Sequence, residues 1–448
     1  MIPTEIRSWD GATKVISALW TADSLRGRFA RGAVWSLLGA LMAQGATLAA
    51  AVITARLLGR EQFGEYGMIQ STVGMLGIFA GLGLGVTATK YVAELRTRDP
   101  QRAGRIIALG TAAAIVSGGL LALALAACAP LLASKTLNAP ALAQELRIAS
   151  VLLFFNALNG AQIGALAGFE AFRAIAQINL ARGILTIPVT VILVYWCRLP
   201  GAIWALAATA ALTCVLSQIW LREQCAASGV GPRLSSAWRE CRVLWSFSTP
   251  AFLCGVLAGP SVWAASTVLV NQPGGYAEMG IFSAASQWRN AVGFIPGVVA
   301  QFALPILSNL NGQRDAPRYA RALRWNLILT AAAATAVAVP VALGAPAIMR
   351  LYGRGFQQGW LVLVLSTATA VISCISGVVA TAILSAGSVW IGLAFNAMWA
   401  VVLLAGCYRF IPTHLALGLA GSMLFAYAAT TAWQAIYVRQ RLSYLRAA

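Results

Sequence analysis

One arginine inside a long apolar stretch of this sequence has the surroundings of an anion-binding residue. Arg289 is about nine residues from the start of its stretch, a depth of roughly 13 Å in a helix. Gln287 and Asn290 flank it, and no carboxylate lies within one helical turn. A guanidinium at that depth needs water or an anionic ligand, so we predict that all three residues face a cavity and that Arg289 binds an anion. A purely structural role for Arg289 is the alternative.

A second arginine belongs to a polar helical face. Asn179, Arg182, Thr186 and Thr190 follow the spacing i, i+3, i+7 and i+11, which keeps them on one side of a helix. Arg182 lies about 9 Å inside its apolar stretch. Its head could face a cavity or reach the membrane surface, as long cationic side chains do. We take Arg182 as the second candidate anion contact, with Asn179 beside it.

The elements that position these residues must be membrane spans. The chain has 448 residues, of which 59% are hydrophobic and only 10% are charged, and its mean hydropathy is +0.76. Soluble domains carry roughly 25% charged residues, so a soluble, disordered or fibrous protein is excluded. Too little chain is left outside the apolar stretches for a folded catalytic domain. We predict an all-α integral membrane protein.

Apolar stretches long enough for a span of about 20 residues occur twelve times. The predicted spans are 33–55, 64–92, 106–132, 142–167, 174–196, 201–221, 244–270, 279–308, 323–345, 359–384, 389–409 and 412–436. They divide the chain into an N-terminal tail (1–32), a six-helix half (33–222), a linker (223–243), a second six-helix half (244–437) and a C-terminal tail (438–448).

The basic residues fix an orientation. Of the 32 Lys and Arg residues, 22 fall in the tails and loops on the N-terminal side, and 7 fall on the opposite side. Short cytoplasmic loops are enriched in Lys and Arg, so both termini are predicted to be cytoplasmic. The same rule explains the net charge of +19 without invoking nucleic acid.

Two cytoplasmic loops share an RDxxRxxR pattern, at 98–105 and 314–321. Residues 65–69 (EYGMI) resemble residues 278–282 (EMGIF) at nearly the same offset. These matches predict two parallel, pseudo-symmetric halves around a central cavity, the arrangement of transporters that work by alternating access. We expect the arginines of each loop to form a cluster on one helical face: Arg98, Arg102 and Arg105 in the first loop, and Arg314, Arg318 and Arg321 in the second. These clusters either set the topology and contact lipids or bind the anionic substrate first.

The acidic residues argue against several functions. All thirteen Asp and Glu residues lie in tails, loops or span ends, whereas a proton or sodium relay normally needs a carboxylate in the membrane interior. The eight cysteines form no CxxC pair. We therefore predict no catalytic residue, no metal site and no cofactor. A glycine stripe at 74, 77, 81 and 85 is interpreted as helix packing.

At this point the chain resembles a known family. Residues 55–67 (ARLLGREQFGEYG), 81–85 (GLGLG) followed by Lys90, and 283–290 (SAASQWRN) with 294–296 (FIP) and 304–308 (LPILS) are similar to segments of polysaccharide (O-antigen) flippases. These belong to the multidrug/oligosaccharidyl-lipid/polysaccharide exporter superfamily. The resemblance implies a transporter of the bacterial inner membrane, without enzymatic activity, that moves polyprenyl-diphosphate-linked oligosaccharides to the periplasmic leaflet.

The resemblance also implies partners. They are the lipid-linked oligosaccharide, membrane lipids and other polysaccharide-assembly proteins. Lys90 and Gln44, which lies on the polar face of the first span, complete the candidate substrate contacts. The alternatives are a multidrug exporter of the same superfamily and, more distantly, a membrane glycosyltransferase or polymerase.

The predicted topology can be tested by labelling with a membrane-impermeant thiol reagent. In a cysteine-free background, Asn138→Cys should react from the periplasm and Ser228→Cys should not, because they lie in an outer and an inner loop. Reaction of Ser228→Cys in intact cells would overturn the orientation.

Overall fold

The computed structural model describes residues 25–231, 240, 256–301, 316–385 and 389–447. These residues form helices and the turns between them, and none of them forms a strand. Residues 1–24 of the predicted tail, Arg314 and the motif at 304–308 lie outside this part of the chain.

Eleven α-helices make up the described chain, and we number them α1 to α11. Their bounds are α1 Leu25–Gly81, α2 Leu84–Leu95, α3 Pro100–Leu131, α4 Ala143–Gly168, α5 Phe172–Ala227, α6 Ala258–Val270, α7 Gly275–Gln301, α8 Ala316–Leu343, α9 Ala345–Tyr352, α10 Trp360–Ser385 and α11 Val389–Ala447.

Seven helical segments of the described chain are long and apolar enough to cross a membrane. Three of them, in α1, α5 and α11, have 43, 56 and 51 residues, about twice the length that a bilayer needs. Each of these helices contains one non-helical residue, Gly59, Arg198 or Leu415, with φ of 81°, 54° and 48°. Gly59 divides α1 into two arms, and at Arg198 and Leu415 the chain reverses direction, since Gly201 and Gly418 there meet carbonyl oxygens eight residues back. The three long helices are thus long enough for two crossings each, and the total of twelve crossings stays a prediction.

The order of elements repeats along the chain. Helices α4 and α10 both have 26 residues and begin 217 positions apart, at Ala143 and Trp360. Helices α5 and α11 also begin 217 positions apart, and so do their reversals at Arg198 and Leu415. A similar offset, 215, relates Gly59 to Gly274, both with positive φ. The repeat that the loop motifs predict therefore extends to the helices themselves.

The reversals in α5 and α11 are built alike. Three residues after each one stands a glycine, Gly201 or Gly418. A Cβ at Gly201 would lie 1.9 Å from the carbonyl oxygen of Leu193, and a Cβ at Gly418 would lie 2.4 Å from that of Phe410. The two arms of each hairpin meet backbone to backbone, which only glycine permits.

The structure differs from the sequence-based boundaries in three places. Residues 25–32 and 438–447, predicted as tails, continue α1 and α11, because a helix can extend beyond the bilayer into water. The second span is not continuous: Leu82 and Gly83, with φ of 43° and 70°, separate α1 from α2. The glycine stripe divides there. Gly85 packs against Gly164 on α4, whereas Gly74 and Gly77 line a cavity, so the packing interpretation is wrong for these two.

The hairpin contact gives a stability prediction. Gly201→Ala should destabilise the protein by about 1–3 kcal/mol, since the added methyl group meets a backbone carbonyl. Gly119→Ala, where a Cβ meets no atom within 4 Å, should be neutral or slightly stabilising. Thermal unfolding of the purified protein measures both. Equal melting temperatures for the two variants would contradict the hairpin geometry.

Candidate substrate site

Each half of the molecule contains a polar cavity. The cavity in the first half has a volume of about 310 Å³. It is lined by Gln70, Val73, Gly74, Gly77, Leu152, Asn156, Asn159, Arg182, Leu206, Thr209, Ala210 and Thr213. The cavity in the second half has a volume of about 520 Å³. It is lined by Arg289, Asn290, Gly293, Phe294, Gly297, Ser373, Cys374 and Tyr427. We call them the first-half cavity and the second-half cavity.

One face of α7 forms most of the wall of the second-half cavity. Its five lining residues, from Arg289 to Gly297, follow the helical spacing i, i+1, i+4, i+5 and i+8. Gly293 and Gly297 leave room in front of the Arg289 side chain. The guanidinium contacts Met423 Sδ and lies near Tyr427, both on α11. Among the described residues no carboxylate forms an ion pair with Arg289, so its charge is available to a ligand.

Helices α1, α4 and α5 enclose the first-half cavity. Arg182 is exposed in it, and in the described part of the chain it has no acidic partner. Asn156 and Asn159 come from α4, Gln70 comes from the second arm of α1, and Thr209 and Thr213 come from the second arm of α5. Among the described residues, no Asp or Glu lines either cavity.

The predicted contacts divide into two groups. Arg289, Asn290 and Arg182 line the cavities. Four others line neither: Gln287, Asn179, Gln44 and Lys90. The first three are half-buried, and Lys90 is exposed with its ammonium group 5.2 Å from the ring centre of Tyr91.

Helix geometry explains part of this division. Gln287 is two residues from Arg289 and therefore points about 200° away from it around the helix. Arg147 is exposed and lines neither cavity, whereas Asn156 and Asn159 on the same helix line one.

The residues that the sequence did not reveal come from helices distant along the chain. Gln70, Thr209, Thr213, Ser373, Cys374 and Tyr427 complete the two walls. Polar residues at cavity-facing positions of neighbouring spans are the only signal that could have found them, and such residues are frequent in this chain.

The loop arginines have positions and contacts that the sequence did not predict. Helix α3 begins at Pro100, and Asp99 caps it by accepting a hydrogen bond of 2.9 Å from the Arg102 backbone N–H. Arg98 precedes the helix, so the first trio does not share one helical face. Arg102 and Arg105 both pair with Glu240 of the linker, at 3.1 and 3.3 Å. In the second loop, Arg318 and Arg321 are exposed on α8.

The two halves meet closely at the end of the molecule that contains Gly59, which we call the Gly59 end. Arg60 on α1 forms an ion pair with Glu278 on α7, and its Nε donates a hydrogen bond of 2.9 Å to the Ala277 carbonyl oxygen. A Cβ at Gly64 would overlap the Tyr276 carbonyl oxygen, so these helices cross backbone to backbone.

An aromatic cluster seals the same end. The rings of Phe63, Tyr352 and Phe356 have centroids 5.7–6.2 Å apart and are almost fully buried. Phe63 belongs to the first half, and the other two belong to the second half. The Gly59 end is therefore closed in this conformation.

A family model described as polysaccharide biosynthesis protein matches residues 29–311, more than half of the chain. The chain belongs to this family. It is similar to the EPS I polysaccharide export inner membrane protein EpsE of Ralstonia nicotianae, with 24% identity over 401 residues, 86% of this chain and 87% of that protein. The protein of the same name from Ralstonia solanacearum is 24% identical over 300 residues, 64% of this chain and 65% of that protein.

Solved structures share the fold. An inward-facing multidrug resistance MATE family transporter of the MOP superfamily matches with a TM-score of 0.75 and 17% identity over 92% of this chain and 99% of that one. An outward-facing structure of a MATE family transporter matches with a TM-score of 0.68 and 17% identity, over 96% of this chain and 98% of that one. A MOP superfamily transporter from Pyrococcus furiosus matches with a TM-score of 0.65 and 15% identity, over 96% of this chain and 98% of that one. The family resemblance and the all-helical fold predicted from the sequence are confirmed.

The ion pair across the Gly59 end leads to a test of access. With Cys374 as the only thiol, a membrane-impermeant reagent applied to the Gly59 side should label it slowly. Glu278→Gln removes a contact between the halves and should raise the labelling rate several-fold. Glu170→Gln breaks the Arg96 ion pair within the first half, at the opposite end, and should leave the rate unchanged. Equal effects of both variants would refute the role of Arg60 and Glu278 in closing this end.

Proposed function

We propose that this protein is a lipid-linked oligosaccharide flippase, which moves a polyprenyl-diphosphate glycan from the cytoplasmic to the periplasmic leaflet. The observation that carries the proposal is an arginine in a polar cavity of each half, Arg182 and Arg289, with no carboxylate partner in the described part of the chain. A guanidinium fork matches two phosphate oxygens at once, and the bond is charge-assisted. A diphosphate is therefore the anionic group that suits these two arginines best.

The comparisons support the biological setting of this proposal. The Ralstonia relatives are named as inner membrane proteins of polysaccharide export. By analogy we infer that this chain acts in the bacterial inner membrane, where it meets the lipid carrier and other proteins of polysaccharide assembly. The loop charges favour cytoplasmic termini.

We infer that the protein works by alternating access, and the closed Gly59 end, which under this orientation faces the periplasm, supports this inference. The conformation then corresponds to an inward-facing state, in agreement with its higher TM-score against the inward-facing MATE structure. We infer that the moving units are the halves at 33–222 and 244–437, joined by the linker at 223–243. Substrate enters from the cytoplasmic side, and rocking of the halves exposes the cavities to the periplasm.

The charge of the cavity walls argues against a multidrug exporter of the same fold. A cationic drug needs an acidic partner, and the described residues of the two walls include none. The polarity of the binding pocket varies within this fold. The Pyrococcus furiosus structure is described as having a binding pocket of reverse polarity that suggests a different function.

Export should depend most strongly on Arg289. Arg289→Ala should reduce glycan export by about tenfold or more, because the loss of one charge-assisted hydrogen bond weakens binding by about that factor. Arg289→Lys should retain part of the activity, because the charge remains and the bidentate fork is lost. Arg147→Ala is the matched control, an arginine of a span that lines neither cavity. The measurement is surface glycan in a deletion strain, at equal protein levels. Normal export by Arg289→Ala would refute the anion-binding role.

Transport should be driven by the membrane potential without obligatory exchange of protons or sodium. Outward movement of a diphosphate with two negative charges is favoured by about 2.3 kcal/mol per charge per 100 mV, inside negative. In liposomes, a potential without an ion gradient should drive flipping, whereas a proton or sodium gradient at zero potential should not. The reverse result would demonstrate an ion site.

A further inference from the structure

The first-half cavity differs in chemistry from the second-half cavity. Besides Arg182, its polar groups are neutral: the amides of Gln70, Asn156 and Asn159 and the hydroxyl groups of Thr209 and Thr213. The second-half cavity has Arg289 with two aromatic residues, Phe294 and Tyr427. A wall made mainly of amides and hydroxyl groups suits a ligand that is polar and uncharged.

The hydrogen bonds already made by this wall show what remains for a ligand. Asn159 Oδ1 accepts a hydrogen bond of 3.0 Å from Ser217 Oγ, which leaves the Asn159 amide N–H groups as donors. Thr213 Oγ1 donates a hydrogen bond of 2.6 Å to the Thr209 carbonyl oxygen, and Thr209 Oγ1 donates one of 2.9 Å to the Ala205 carbonyl oxygen. Because both hydroxyl protons are used in these hydrogen bonds, the two threonine oxygens can only accept hydrogen bonds from a ligand.

This mixture of donors and acceptors discriminates between ligands. A phosphate oxygen only accepts hydrogen bonds, so it gains nothing from the threonine lone pairs. A sugar hydroxyl group both donates and accepts, and it can use the threonines and the asparagine amides together. The volume of about 310 Å³ is at the lower end of ligand pockets, about 300–1,000 Å³, which fits a single sugar ring better than a whole oligosaccharide.

The depths of the two arginines can be compared from the Gly59 end, where Arg198 Nη1 donates a hydrogen bond of 3.0 Å to the Leu57 carbonyl oxygen. Arg182 is 16 residues before Arg198, and Arg289 is 14 residues after the start of α7 at Gly275. The two arginines are therefore about 24 and 21 Å along the bundle from that end. The cavities therefore stand at similar depth, one in each half.

We propose that the first-half cavity binds the sugar that is joined directly to the diphosphate, through Asn156, Asn159, Thr209 and Thr213. The second-half cavity holds the diphosphate at Arg289, and Arg182 stands where the sugar meets the phosphate. This proposal rests on the proposed function. Its consequence is that the protein discriminates a glycosylated carrier lipid from the bare one.

The test is binding of two lipids to the purified full-length protein: a polyprenyl diphosphate carrying one hexose, and the same polyprenyl diphosphate without sugar. The wild type should bind the glycosylated lipid about tenfold more tightly, as expected of one or two added hydrogen bonds. Asn156→Ala and Asn159→Ala should remove this preference while the affinity for the bare lipid stays the same. Arg289→Ala should weaken binding of both lipids.

A second variant tests the same cavity by filling it. A Cβ at Gly74 meets no atom within 4 Å, so Gly74→Leu extends into open space and should abolish the preference for the sugar without unfolding the protein. Gly119→Leu, also at an open position but outside both cavities, is the matched control.

The outcomes separate the two proposals. Equal affinity of the wild type for both lipids would overturn the sugar site. So would asparagine variants that keep the preference, or that weaken binding of the bare lipid as much as that of the glycosylated one. Failure of the wild type to bind either lipid would instead refute the proposed function.

Discussion

A guanidinium charge held inside a helical bundle without a carboxylate partner is the constraint on which the rest of this structure depends. Placing an arginine at the centre of a membrane helix costs about 2.5–3.5 kcal/mol on insertion scales. Arg182 and Arg289 reduce that cost by facing cavities, and the cavities exist because glycines on α1 and α7 leave them open. Under the proposed function, an anionic ligand relieves the remaining positive charge. We therefore infer that the interior selects its ligand by charge before shape.

Cavities in two halves can carry a ligand across a membrane only if the halves can exchange one closed end for another. The contacts at the Gly59 end have the character of such a closure. Arg60 crosses to Glu278, the backbones of α1 and α7 touch at Gly64, and three large aromatic rings pack between the halves. Ion pairs and ring contacts of this kind are discrete, either made or broken, so under the proposed function we expect two distinct states rather than a continuous deformation.

The sequence predicted those features that depend on local pattern. The fourth and tenth spans, expected at 142–167 and 359–384, occur as Ala143–Gly168 and Trp360–Ser385, because apolar runs bounded by polar turns fix helix ends. Arg289 and Asn290 line the second-half cavity, and their role as substrate contacts stays a prediction. Periodicity identifies the face of one helix but not the helix opposite. For that reason Tyr427 and Ser373 were not found, although they complete the wall around Arg289.

Other predictions were limited by the same physics. Lys90 was included because a motif precedes it, yet the break at Leu82 and Gly83 starts a new helix and Lys90 is exposed on it. The arginine trio was treated as one helical face, and Pro100 excludes Arg98 from the helix. Breaks with positive φ at Leu82, Arg198 and Leu415 have no sequence signature, because these residue types rarely adopt that conformation.

The repeat keeps one offset from α4 and α5 to α10 and α11 but is unequal in its charges, and this inequality has a consequence for transport. At the offset of 217 that relates α5 to α11, Arg182 corresponds to Trp399, a buried residue whose ring lies 5.1 Å from that of Tyr427. The second half instead supplies its cation from α7. Two equal cavities would accept a diphosphate–sugar unit in either direction, whereas two unequal ones orient it. A ligand held in one orientation across both halves contacts each differently in the two conformations, and such differential contact is what shifts an alternating-access equilibrium.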